Sequence, residues 1–299
     1  MRKWEKLTYT NEVLGASIVF SHTSMYHVNI KKDVSGLSDV VSTVYSVSSM
    51  GQDGSTKIGT RIEARDIEIV GHFNTIDKTE IHRLRRNMNR ILNPHDSATL
   101  TYEFDGVTRV ISCTPDSAPV FDNREKLFER FSIQLVCLNP FWRDASETRE
   151  DVAIWEGGME FPTETGGLEL TDDWEIGFRS PSLIANVNNV GDVSTGLRVV
   201  FRALASLSNP EIINVNTGEF IRVNTEMEAG DLITVTTGYG QKAVTLNRNG
   251  NTSDIFRLLD VDSTYMQARV GDNLYRYDAD SGVDNLEVTI YHNNLYLGV

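Results

Sequence analysis

The punctuation of this sequence limits its fold more than any other feature. Beyond residue 190, turn signals recur at Gly191-Asp192, Thr217-Gly218, Gly230-Asp231, Asn249-Gly250, Gly271-Asp272 and Ser281-Gly282. Between them lie runs of β-formers at 197–201, 212–215, 220–223, 232–236, 243–246, 264–268 and 286–291. Such runs are too short for packed helices and match the length of strands. Short strands at this spacing stack as a β-sandwich.

The first half carries strands and a single helix. Residues 7–10 and 16–20 read as two strands around a turn, and 49–54 as a Gly-rich loop. Residues 99–104 and 107–112 flank Asp105-Gly106, a pair that tolerates the positive φ of a two-residue hairpin turn. Phe131, Ile133, Leu135 and Cys137 alternate along a further strand, which runs into Asn139-Pro140-Phe141-Trp142. Between them Ile81, Leu84, Met88 and Ile91 recur at helical spacing, which predicts a helix over 78–92. Asp77 is its expected N-cap, with Glu80 completing a capping box and Ile76 placed to staple onto Ile81. Pro94 ends the run.

The 299 residues suit two domains, and a hydrophobic share of 40% is enough for packed cores. Residues 1–142 hold 17 basic and 17 acidic side chains, so the whole net charge of −14 falls in 143–299. A surface of that sign repels phosphate backbones, which argues against nucleic-acid binding by the second half. The two regions are read as domains, 1–142 and 143–299. The second opens with an exposed acidic connection, since 144–175 hold eleven acidic residues and one basic residue, Arg149. The N-terminus has no apolar signal region, and no run approaches about 18 uncharged apolar residues, so no membrane span is expected.

Catalytic signatures are missing. His22, His27, His72, His82, His95 and His292 form no paired metal spacing, and neither a nucleophile elbow nor a phosphate loop ending in Lys-Ser/Thr is present. With 42 acidic residues, carboxylate pairs arise by chance and do not mark a hydrolase. Asp278, Asp280 and Asp284 resemble part of a calcium loop, but Val283 stands at the glycine position, so the stretch reads as a polar turn. Trp155, Phe161, Trp174 and Phe178 suit either a sugar platform or packing onto the sandwich. Cys113 and Cys137 read as small core residues, with a bridge between neighbouring strands as the other option. No cofactor and no metal are expected. The outer helix face is basic, with His82, Arg83, Arg85, Arg86 and Arg90. It is either a solvated face or a contact surface for an acidic partner or neighbouring subunit. A nucleic-acid contact is disfavoured because no aromatics interleave. Arg83, Arg86 and Arg90 are the candidate contact residues.

Several stretches, in this order, resemble the distal tail protein family of siphophages. They are Gly51-Gln-Asp-Gly54, Ile91-Leu-Asn-Pro94, Cys137-Leu-Asn-Pro-Phe-Trp142, Asn189-Val-Gly-Asp192 with Thr195-Gly196, Asn209-Pro-Glu-Ile212 with Asn216-Thr-Gly-Glu219, Gly230-Asp231, Gly271-Asp-Asn-Leu274 with Tyr277, and Tyr296-Leu-Gly-Val299. The resemblance implies a mostly β chain, with an N-terminal β-barrel-like domain carrying one helix and a C-terminal galectin-like β-sandwich. It implies a non-enzymatic hub of the virion tail tip, assembled in the host cytoplasm. Six copies would form a ring that joins the tail tube protein to the tail-associated lysin or tip protein. Receptor-binding or baseplate proteins would attach outside it. The alternative function is a stand-alone carbohydrate-binding sandwich.

Overall fold

In a computed structural model, the described residues are 5–51, 53–75, 77–122, 129–152 and 184–299, with the backbone of 155–157 and 177–179. The chain divides into two compact units, one formed by Met1–Ala145 with Leu295–Val299 and the other by Ser146–Asn294. The last five residues thus return to the first unit, which the pattern of strands and turns gave no reason to expect. No helix among the described residues is long and apolar enough to cross a membrane.

Unit 1 contains β1 (Lys6–Asn11), β2 (Ala16–Ser21), β3 (Tyr26–His27), α1 (Ile30–Asp33), β4 (Val34–Ser35), β5 (Ser42–Val47), β6 (Thr56–Ile62) and β7 (Arg65–Phe73). It continues with α2 (Lys78–Ile91), β8 (Ala98–Phe104), β9 (Val107–Pro115), β10 (Val120–Asp122), β11 (Arg130–Cys137) and β12 (Trp142–Asp144). The main sheet runs β11-β7-β3-β2-β1-β8-β9, and β9 pairs back onto β11, so these seven strands close into a barrel. The alternation seen in the sequence is the reason they can. In β7 and β11 every second residue is buried, so Ile67, Ile69, Phe73, Phe131, Ile133 and Leu135 share one core with Ile18, Phe20 and Leu100. The hairpin at Asp105-Gly106 forms in the expected register, Phe104 facing Val107, with φ of 50° and 85° at the two turn residues.

Helix α2 packs against β2 through Ile81, Leu84, Met88 and Ile91, the four residues that recur at helical spacing. Buried Asn11 ties it to the barrel by donating to the carbonyl of Ile91 at 2.9 Å and to Asp96 at 2.8 Å. The capping box is corrected in part. Asp77 Oδ1 caps the helix by accepting from Thr79 N at 3.0 Å. Glu80 does not reach back, because it binds Arg83, and the Asp77 N–H donates to Thr75 Oγ1 instead. The stapling residue, Ile76, lies outside the described residues.

Unit 2 begins with β13 (Thr148–Asp151), then a two-stranded piece, β14 (Trp155–Gly157) with β15 (Gly177–Arg179). The following strands are β16 (Ile184–Asn189), β17 (Thr195–Ala203), β18 (Leu207–Asn214), β19 (Phe220–Arg222), β20 (Glu226–Met227) and β21 (Leu232–Thr236). After them come β22 (Ala243–Arg248), β23 (Asn251–Asp254), β24 (Gln267–Ala268), β25 (Gly271–Ser281) and β26 (Leu286–His292). One sheet orders β13-β26-β17-β21-β22-β23 and the other β16-β25-β18-β19. Their inward residues, among them Val199, Phe201, Ile233 and Val288 from one and Val187, Ile212, Tyr275 and Tyr277 from the other, form a single core, which makes unit 2 a β-sandwich. The stretch read as a polar turn at 278–284 begins inside β25, the longest strand of the unit. Asp280 there accepts from Asn209 Nδ2 at 2.7 Å and binds Arg222. Most of the acidic connection, with Phe161 and Trp174 and the side chains of Trp155 and Phe178, lies outside the described residues.

The chain then re-enters unit 1 as β27 (Leu295–Tyr296), which pairs with β12. Buried Arg65 anchors this return. Its guanidinium donates to the carbonyls of Pro140 at 2.8 Å, Gly36 at 2.7 Å, Leu37 at 3.0 Å and Leu297 at 2.5 Å. Trp142 Nε1 also donates to Leu37, and Ser38 Oγ donates to the carbonyl of Val299 at 2.8 Å.

Candidate functional site

The candidate surface on α2 is a consequence of its apolar stripe. Once Ile81, Leu84 and Met88 face the barrel, Arg83, Arg86 and Arg90 fall together on the outside and are exposed. The three are not equivalent. Arg83 Nε donates to Glu80 at 2.9 Å, and this hydrogen bond, with the Arg83 charge, holds the Glu80 carboxyl below the usual carboxylate range. Arg85 is turned inward, 3.3 Å from the buried Glu129 and over the Phe121 ring. Arg86 and Arg90 make no ion pair among the described residues, which leaves two cations available to an outside group.

A second surface went unread in the sequence. Strands β5 and β6 form a two-stranded sheet that pairs with no other strand among the described residues. Val44 sits opposite Thr60 and Tyr45 opposite Gly59, so the two apolar side chains point to opposite faces of the ribbon. Both are open to solvent, Val44 at 55% and Tyr45 at 50%, and Ile58 at the bulge is 71% exposed. Met50 stands exposed in the Gly-rich loop at its tip. The signal that was available is the run Ser42-Thr-Val-Tyr-Ser-Val47, rich in β-formers. An isolated ribbon of this kind is marginal in water, and one with apolar residues on both faces is stabilised by being covered.

Cys113 and Cys137 are free and buried. They approach one another where β9 closes onto β11, and the hydrogen bond with the facing Cys137 thiol, together with burial, pushes the Cys113 thiol far up. That is the chemistry of core residues and not of a reactive pair.

Two family profiles match the chain. Residues 13–137 match the phage tail protein RIFT-related domain, and residues 190–296 match the siphovirus-type tail component, C-terminal domain. Among solved structures, the crystal structure of the Dit protein of phage SPP1, described as a paradigm of the hub adsorption apparatus in phages that infect Gram-positive hosts, is similar over 97% of this chain and 98% of its own. Its TM-score is 0.69 at 14% identity. The phage P2 baseplate in its activated conformation with calcium matches over 98% of both chains, with a TM-score of 0.53 at 12% identity. The form with strontium gives 0.53 at 13%. At these identities the structures speak for the fold, and the profiles speak for the family. No curated protein sequence matches the chain.

Proposed function

We propose, since the chain belongs to the distal tail protein family of siphophages, that this structural tail component closes a hexameric ring through unit 1 and makes its outward contacts through unit 2. The ring would join the tail tube protein to the tail-associated lysin or tip protein, and receptor-binding or baseplate proteins would attach to it. It would do so without catalysis and in the virion.

The observation that carries this reading is the β5–β6 ribbon. A closed ring needs a head-to-tail contact, with one patch donated and a different patch receiving it. A ribbon with exposed Val44, Tyr45, Val47 and Ile58 suits the donated patch, because covering it removes apolar surface from water. Charge supports the same assignment. Residues 1–142 are balanced, so copies pack without net repulsion, whereas the acidic 143–299 are better kept apart by more than the roughly 8 Å Debye length. Arg86 and Arg90 are proposed as a separate contact to an acidic neighbour. The test is a variant with Val44, Tyr45, Val47 and Ile58 all changed to Ser. Loss of assembly with an unchanged circular dichroism spectrum supports the ribbon contact. Assembly at wild-type strength removes the ribbon from the interface.

A further inference from the structure

Three histidines form a row across the shortest strand of the barrel. His27 in β3 lies directly opposite His72 of β7, with the rings stacked at 4.4 Å. On its other side, His27 Nε2 is 3.1 Å from His22 Nδ1. Arg130 of β11 is the cross-strand neighbour of His72. His27 Nδ1 is buried and has no hydrogen-bond partner among the described residues.

These contacts decide which proton sits where. A buried N–H without an acceptor costs the full desolvation of that group, so His27 keeps Nδ1 unprotonated. Its one N–H is then on Nε2 and donates to His22 Nδ1. An added proton disturbs these contacts wherever it lands. A proton on His22 Nδ1 removes the acceptor and drives the His27 hydrogen to the buried Nδ1. A proton on His27 itself occupies that same nitrogen. A proton on His72 places a cation against the His27 ring and beside Arg130.

We propose that this row is an acid-sensitive catch that holds β3 in the barrel while its three rings are neutral and releases that strand when a proton enters. The strand is suited to this role because it is only two residues long, joined in parallel to β2 and antiparallel to β7. Other charges surround the row. Asp33 of α1 favours a charge on His72, but its Oδ2 also accepts from the Asn29 N–H. Lys31 of α1, 3.5 Å from Glu5, lines a pocket of about 210 Å³ with His22. On the opposite face of β3, Tyr26 turns to α2, where Asn87 donates to its hydroxyl at 3.0 Å and Arg83 and Glu80 are the nearest charges. Burial, followed by His27, holds His72 below the ordinary imidazole range, against the pull of Asp33. A folded-state value below the unfolded one, about 6.5, means the contribution is complete above that pH and is lost as pH falls below it.

Hydrogen exchange of the full chain at pH 7.5 and 5.0, corrected for intrinsic rates, tests this. Residues 20–28 should lose protection by about tenfold for each unit by which His72 resists protonation, while 98–104 keep theirs. The H22Q/H27Q/H72Q variant, in which no ring of the row can titrate, should keep its protection at pH 5.0. Undiminished wild-type protection at pH 5.0, or an equal loss in the variant, overturns the proposal. If the variant fails to fold, imidazole titration of the wild type by NMR decides. His72 titrating near 6.5 overturns the proposal, and His72 titrating below that value supports it.

Discussion

Arg65 offers the sharpest perturbation of unit 1. The residue is 3% exposed, and its guanidinium donates to four carbonyls drawn from three separate stretches of chain. Among the described residues no carboxylate lies within ion-pair distance of it, and burial lowers its proton affinity. Arg65→Met keeps much of the volume and removes every donor. Leu37 retains a partner in Trp142 Nε1, and Leu297, only half-buried, can turn to water. Gly36 and Pro140 are buried and are left with unpaired carbonyls. Two orphaned acceptors cost about 1–3 kcal/mol each, and the relief of burying a charge offsets part of that, which leaves a net loss of about 3 kcal/mol. For a unit of this size such a loss lowers the melting temperature by roughly 6–12 °C. Scanning calorimetry reads it as a shift of the unit 1 transition alone, and hydrogen exchange should show 295–299 losing protection. A variant as stable as the wild type would refute the reasoning. It would mean that the carbonyls re-pair locally and that the guanidinium is not what holds the C-terminal return.

Three further outcomes are expected. Arg86→Glu with Arg90→Glu should weaken assembly while leaving the melting temperature within about 2 °C, since exposed charges contribute little to folding; Arg83 adds less because Glu80 already engages it, and unchanged sedimentation would return this face to solvent. Asp231→Asn should lower the unit 2 transition by roughly 2–4 °C, because the carboxylate accepts from Arg248 Nε at 2.9 Å and from the Glu228 N–H at 2.8 Å. Arg248 holds that carboxyl below its usual range, so its contribution is present above about pH 4 and lost as pH falls, and the variant's melting curve should lack this acid-side dependence. Cys113 and Cys137 should resist iodoacetamide in the native chain and react on denaturation, as read by intact mass.

The parts of this fold that were legible are those in which local chemistry and the final structure agree. Asp105-Gly106 permits few backbones other than the tight turn it forms, and the stripe Ile81, Leu84, Met88, Ile91 has one way to be buried. The capping box was half right because Glu80 had two possible partners, and Arg83, one turn on, outcompetes the backbone of Asp77. The strand β25 was hidden by its polar end, where Asp278 and Asp280 read as a turn until Asn209 and Arg222 of neighbouring strands engage Asp280. Neither the barrel closure between β9 and β11 nor the return of 295–299 to β12 has a local signature, because both depend on pairings of residues distant in sequence. The candidate site divides in the same way. The arginine face follows from helical spacing, whereas the exposed ribbon is recognised only once nothing in the described chain covers it.

The native mass of the purified full chain, with negative-stain images of the same sample, tests the central claim most directly. The ring reading predicts a species of about 200 kDa, six times the 33.5 kDa chain, and six-fold class averages. A uniform 33.5 kDa monomer at micromolar concentration, with no ring in any image, would contradict it.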